Sequence, residues 1–130
     1  MQYLGGKHRI AAWLVERMAP TINERKCYVE PFVGSAAVMA RVSNGVRRIG
    51  SDGNAALITL WRALAAGWVP PVVISEQEYS LVKHRNDPND PLTAFVGIGA
   101  SFAGKWFGGY ARNSRGDDYV GAAARSVQTR

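Results

Sequence analysis

Tyr28-Val29-Glu30-Pro31-Phe32-Val33-Gly34-Ser35-Ala36 and, further along, Arg47-Arg48-Ile49-Gly50-Ser51-Asp52-Gly53-Asn54 decide the fold of this chain. Cys27–Glu30 is a short apolar run with a β-branched residue and an aromatic, stopped by Pro31. That pattern predicts a buried strand that ends abruptly. Gly34, lacking a Cβ, lets the backbone turn and come close to a ligand. Ser35 is a good N-cap for a crossover helix over the apolar run at 36–42. Residues 46–51 predict a second strand, which ends at Asp52. Strand, glycine turn and helix make the front edge of a nucleotide-type α/β fold, with a ligand at its mouth. Asp52 follows Gly34 at close to the spacing of about 20 residues at which such folds set an acid on ribose hydroxyls.

The plainer alternatives are an ordinary turn at Gly34 and, for Asp52, the cap of a helix over residues 54–66. A dinucleotide fingerprint G-x-G-x-x-G starting at Gly34 would need glycines where the chain has Ala36 and Met39. A nicotinamide enzyme is therefore disfavoured.

The N-terminus adds Gln2-Tyr3-Leu4-Gly5-Gly6-Lys7, followed by a helix with an apolar face of Ile10, Ala11, Leu14, Val15 and Met18. An aromatic-x-Gly-Gly-Lys opening, then Glu-Pro-Phe-Val-Gly, then Ser-Asp-x-Asn, resembles the Dam-type adenine-specific DNA methyltransferases, particularly their phage and prophage members. The likeness continues through Trp61-Arg62-Ala63-Leu64, Gly67-Trp68-Val69-Pro70-Pro71, Ser75-Glu76-Gln77-Glu78-Tyr79, Phe95-Val96-Gly97 and the run from Gly104 to Arg112. It implies a partial Rossmann-like α/β fold, dependent on S-adenosylmethionine, with parallel strands and flanking helices. It also implies roles for named residues. Tyr3 would lie against S-adenosylmethionine and Lys7 would meet its carboxylate, as a point charge suited to an anion. Glu30, Phe32 and Gly34 would shape the floor of the cofactor pocket. Asp52 would accept the ribose hydroxyls through charge-assisted hydrogen bonds.

The family's catalytic Asp-Pro-Pro-Tyr, whose Asp and proline carbonyl accept hydrogen bonds from the adenine amine, does not occur in these 130 residues. The Asp-Pro pairs present, Asp87-Pro88 and Asp90-Pro91, lie in a polar stretch that reads as a turn. The expectation is that residues 1–130 form the N-terminal, cofactor-binding portion of a methyltransferase domain. A truncated gene, a second polypeptide that completes the sheet, and a relative that has lost catalysis all fit this pattern. Only two strands are evident, and a two-stranded parallel fragment leaves open edges.

A net charge of +6 and a pI near 9.9 favour an anionic partner, and double-stranded DNA is the obvious one. Residues 1–65 hold nine Lys/Arg against four Asp/Glu, and residues 66–130 seven against six. Arg41, Arg47 and Arg48 read most simply as solvated ends of a helix and a strand. The stronger DNA candidate is residues 101–115, where Lys105, Arg112 and Arg115 alternate with Phe102, Trp106, Phe107 and Tyr110 among glycines. Cations there would neutralise phosphates and rings would stack on bases. The competing reading packs the rings under the sheet and leaves only Arg112 and Arg115 in solvent.

The rest is plain. Ser75 and Glu78 predict a capping box for a helix reaching about Arg85, residues 86–91 a turn, and the apolar stretch after them a helix ending near Phe102. Residues 119–128 predict a further helix. Cys27, the single cysteine, is expected to be a buried apolar residue, and His8 and His84 are too far apart in sequence to suggest a metal site. No signal peptide or membrane span is evident, so the expected location is cytoplasmic, in a bacterium or phage-infected cell. A non-catalytic module that binds DNA or interferes with a methyltransferase is the alternative function.

Overall fold

The computed structural model describes residues 1–129, which divide into two compact units, Gly5–Gly53 and Met1–Leu4 with Asn54–Thr129.

In the unit of Gly5–Gly53, helix α1 (Ala11–Asn23) precedes strand β1 (Cys27–Glu30), and β2 (Arg47–Gly50) pairs with it in parallel. The register sets Cys27 against Arg47, Tyr28 against Arg48, Val29 against Ile49 and Glu30 against Gly50. Leu14, Val15 and Met18 of α1 pack, with Tyr28, on small clusters built from Ala11, Ala37 and Val38 and from Ile22, Val42 and Val46. Ile10, expected on that face, precedes the helix and is exposed. The strands fall where the sequence places them, but they are not buried. Val29 and Ile49, partners on one face, are both exposed, and so is Cys27. Only the face of Tyr28 and Glu30 is covered, because a single helix and the β1–β2 connection supply all the apolar cover in this unit.

The expected crossover helix is absent. Between β1 and β2 the chain makes one 3-10 turn, Met39–Arg41, whose N-cap is Val38 and not Ser35. Gly34 and Ala36 both have positive φ, 48° and 56°, which no α-helical residue can adopt. Some of the backbone groups that a longer helix would use are bound by side chains instead. Glu30 accepts the N–H of Met39, Arg41 donates to the carbonyl of Ala37, and Arg48 donates to those of Met39 and Val42.

The second unit is helical: α2 (Ala55–Ala65), α3 (Glu76–Arg85), the short α4 (Pro91–Ala94) and α5 (Tyr119–Gln128). Asn54, not Asp52, caps α2 by accepting the N–H of Leu57. The capping box of Ser75 and Glu78 forms as the sequence predicts, and its two hydrogen bonds hold the Glu78 carboxyl below its ordinary pKa. After α4 the expected continuous helix gives way to a π-helical turn, Phe95–Gly99, and a 3-10 turn, Phe102–Gly104. Gly97 and Gly99 lie so close to Phe107 and Ala123 that a Cβ would approach within 2.8 and 2.9 Å. Close packing, not helix propensity, shapes that segment. Phe95, Leu57 and Leu60 fill the core with Ile98, Val96 and Ala124.

Candidate functional site

Glu30, the last residue of β1, is 6% exposed. Its Oε1 lies 3.3 Å from the Lys7 ammonium, and its Oε2 accepts the N–H of Met39 at 3.1 Å and the Tyr28 hydroxyl at 3.4 Å. Lys7 also donates to the carbonyl of Phe32 at 3.0 Å, while about a third of its side chain stays exposed. Burial pushes the Tyr28 hydroxyl up to about 12, and the Glu30 carboxylate beside it adds to the shift. The strand alternation explains the pairing, since residues two apart face the same side.

The loops that leave the two strands are tied together. Ser51 N–H bonds the carbonyl of Glu30, Val33 N–H bonds that of Ser51, and the Ser51 hydroxyl donates to the carbonyl of Pro31. Asp52 Oδ2 then accepts the N–H of Gly34 at 3.0 Å, which fixes the carboxylate against the turn after β1. Lys7, Glu30, Phe32, Gly34 and Asp52 thus meet at the carboxyl ends of the parallel strands, where ligands bind in open α/β sheets. The Phe32 ring stands out from this group, 78% exposed. Tyr3 belongs to the other unit and packs on that unit's core. The part played by Tyr28, and by Arg48 and Ser51 in holding these loops, was not read from the sequence. For Tyr28 the signal was its i, i+2 spacing from Glu30.

Residues 101–115 divide the two readings of their aromatics. An isolated antiparallel bridge joins Ser101 to Tyr110. The Tyr79 hydroxyl sits at its centre, 3.0 Å from the Ser101 hydroxyl and accepting the N–H of Gly109 at 3.1 Å. Phe107 and Tyr110 pack edge-on against the Tyr79 ring, and the Tyr110 hydroxyl donates to the carbonyl of Ile74. They pack in the helical unit and not under the sheet. Phe102 and Trp106 remain 65% and 39% exposed. Lys105 and Arg115 are exposed too, whereas Arg112 is paired with Glu76 at 2.8 Å.

Both Asp-Pro pairs serve local structure. Asp87 accepts the N–H of Asn89, and Asp90 caps α4 and pairs with Arg85. Among the described residues no group of three His, Cys, Asp or Glu is placed to hold a metal, and no helix is long and apolar enough to cross a membrane.

A parallel pair with an acid at the end of β2, a glycine turn after β1 and a Gly-Gly-Lys lead-in is the arrangement that the sequence motifs required. Residues 3–91 match the family model of the D12 class N6 adenine-specific DNA methyltransferases. The chain belongs to that family. The matched range includes every residue from Lys7 to Asp52 just described, and the two-stranded sheet is part of the family's α/β methyltransferase fold. The D12 class transfers methyl groups to adenine in DNA, so DNA is the family's substrate. Residues 101–115 lie beyond the matched range. No curated protein matches the chain.

Proposed function

We propose that this D12-class chain is the cofactor-binding portion of an adenine-specific DNA methyltransferase and holds S-adenosylmethionine at the carboxyl ends of β1 and β2. The observation that carries the reading is the hydrogen bond from Gly34 to Asp52, which holds an acid and a glycine turn side by side at that edge. The chemistry of the neighbouring side chains fits the same ligand. Lys7, about a third of whose side chain is exposed, would meet the methionine carboxylate, and Glu30, paired through Oε1 with the Lys7 ammonium, would shape the floor of the pocket. Asp52 would take the ribose hydroxyls and Phe32 would offer apolar area. S-adenosylmethionine supplies a methyl group on a positively charged sulfur, and the residues here bind and orient it.

Within this reading the 130 residues do not transfer methyl groups alone, because Asp-Pro-Pro-Tyr is missing and Asp87 and Asp90 are engaged in local capping. Lys105, Arg112 and Arg115 would contact duplex DNA beside the exposed Phe102 and Trp106. The same absence of the tetrapeptide supports a second reading, a DNA-binding module that keeps the fold without the chemistry.

Calorimetric titration of S-adenosylmethionine tests the first reading. Saturable binding is expected for the wild-type chain, with a loss of about 10-fold or more in affinity in Asp52→Ala, the range for a charge-assisted hydrogen bond. Asp52→Asn keeps an acceptor for Gly34 and separates loss of the loop from loss of the charge. A well-folded wild-type chain that binds no cofactor would sink the reading and favour the second.

A further inference from the structure

Six asparagines occur in the chain, and Asn44 alone is followed by glycine. The structure also sets it apart from the other five. Asn23 ends α1, Asn54 caps α2 and Asn86 closes α3 in a left-handed conformation. Asn89 precedes an amide, that of Asp90, which bonds the carbonyl of Asp87. The Asn113 carboxamide is bound to Asp117, to the Tyr119 hydroxyl and to the N–H groups of Arg115 and Asp117. The Asn44 carboxamide has no hydrogen-bond partner among the described residues. Asn44 and Gly45 form the tip of a turn, closed by the N–H of Val46 on the carbonyl of Ser43 at 3.1 Å. Ser43, Asn44 and Gly45 are exposed, whereas Val42 and Val46 on either side are buried in one cluster with Ile22. A Cβ added at Gly45 would meet Ser43 Oγ at 3.7 Å, so the space around the Gly45 backbone is open. The Gly45 N–H reaches the same hydroxyl at 3.3 Å, a long bond in solvent that restrains it little.

We propose that Asn44 and Gly45 form a modification site, at which the chain converts its own asparagine to isoaspartate and aspartate. The Gly45 nitrogen, giving its proton to solvent base, bonds to Asn44 Cγ. The Cγ–Nδ2 bond breaks, and ammonia leaves with a proton taken from water. Water then opens the cyclic imide at either carbonyl. Cleavage from Cγ restores the backbone as aspartate; cleavage from the main-chain carbonyl carbon leaves the chain running through the side chain, as isoaspartate. Glycine suits the attack because, without a Cβ, it hinders its own nitrogen least and turns most freely. The isoaspartate backbone is one atom longer, and that atom falls inside the ring closed by the Ser43–Val46 hydrogen bond. It should loosen Val42 and Val46 from Ile22 and, with them, the entry to β2 at Arg47. The site needs no cofactor, and it holds whether or not the chain binds S-adenosylmethionine.

The test is peptide mapping by mass spectrometry of the 130-residue chain aged at mildly alkaline pH, with electron-transfer fragmentation to tell isoaspartate from aspartate. Asn44 should be converted about tenfold or more faster than any other asparagine, because only its attacking nitrogen belongs to a residue without a Cβ. The rate in the folded chain should stay within about tenfold of the rate in urea, since an exposed turn opens at little cost. Gly45→Ala, whose added Cβ meets Ser43 Oγ at an ordinary 3.7 Å, should fold and slow the loss about tenfold or more. Hydrogen exchange reads the consequence. The amides of Val46 and β2 should exchange faster in the aged wild type than in the fresh protein. Aged Gly45→Ala should match the fresh wild type, and so should fresh Asn44→Asp, which has the new charge on an unaltered backbone. The proposal fails if Asn44 survives as long as Asn113, or if it is lost in urea and kept in the folded chain. It fails also if Gly45→Ala does not slow the loss, or if aged and fresh wild type exchange alike at β2.

Discussion

Phe95, Leu57 and Leu60 are wholly buried in the helical unit, and Trp68 packs edge-on against the Phe95 ring at 6.1 Å. The unit of Gly5–Gly53 closes instead over Ala11, Ala37 and Val38, with Ile22, Val42 and Val46 beside them. The first arrangement is held by large interlocking side chains. The second has little apolar volume, and its loops take their shape from polar side chains that bind backbone groups: Glu30 on Met39, Arg48 on Met39 and Val42, Asp52 on Gly34. Under the proposed cofactor reading this would link loop order to binding, because Glu30 and Asp52 both fix the loops and would meet the ligand.

The contrast breaks if the two units respond alike to loss of apolar volume. Phe95→Ala should cost about 3–5 kcal/mol, the range for removing a buried ring. Val38→Ala removes only two methyl groups and should cost about 2 kcal/mol. Urea denaturation, read together with hydrogen exchange at the amides of α2 for the first variant and of β1 for the second, would distinguish them. Equal costs would mean that the small clusters carry as much of the stability as the large core.

The contrast sharpens at Glu30. In Glu30→Ala the N–H of Met39 loses its acceptor and Lys7 loses its counter-charge, which should cost about 1–3 kcal/mol. Glu30→Gln can still accept from Met39 and should recover much of that stability, but it should bind S-adenosylmethionine as poorly as the alanine variant. Thermal melts and calorimetry on the same pair of proteins would show it. If Gln and Ala are equally unstable, the carboxylate charge and not the hydrogen bond holds the loop.

How far the sequence could be read follows the same division. β1, the box on α3 and the whole of α5 were legible, because each rests on a local pattern: a β-branched run stopped by proline, a Ser-x-x-Glu cap, an amphipathic stretch. The helix expected over residues 36–42 was not, since Ala36, Ala37, Val38 and Val42 are buried but Ala36 is left-handed and Glu30 and Arg48 bind backbone groups of Met39 and Val42. The proposed cofactor residues from Lys7 to Asp52 were named from motifs, yet their mutual bonds depend on the parallel register, which no local pattern states. The exposed face of Val29 and Ile49 escaped for the opposite reason. An apolar strand reads as buried whether or not anything covers it.

The smallest expected effect lies at Tyr28, whose hydroxyl is pushed from about 10 up to about 12, first by burial and then by Glu30. A folded-state pKa above the unfolded value gives stability that is complete below pH 10 and is lost as the pH rises toward 12. The ring is only part buried, so solvent screens the effect and the loss should be smaller than that of either Glu30 variant. Absorbance of the phenolate, taken as the difference between the wild-type chain and Tyr28→Phe, isolates this residue from the other four tyrosines. The midpoint should lie near 12 in the wild-type background. In a Glu30→Gln background it should fall part of the way toward 10, because burial persists when the charge is gone. A wild-type midpoint near 10 would place the hydroxyl in water, away from the carboxylate, and would remove Tyr28 from the set of polar side chains that hold this edge of the sheet together.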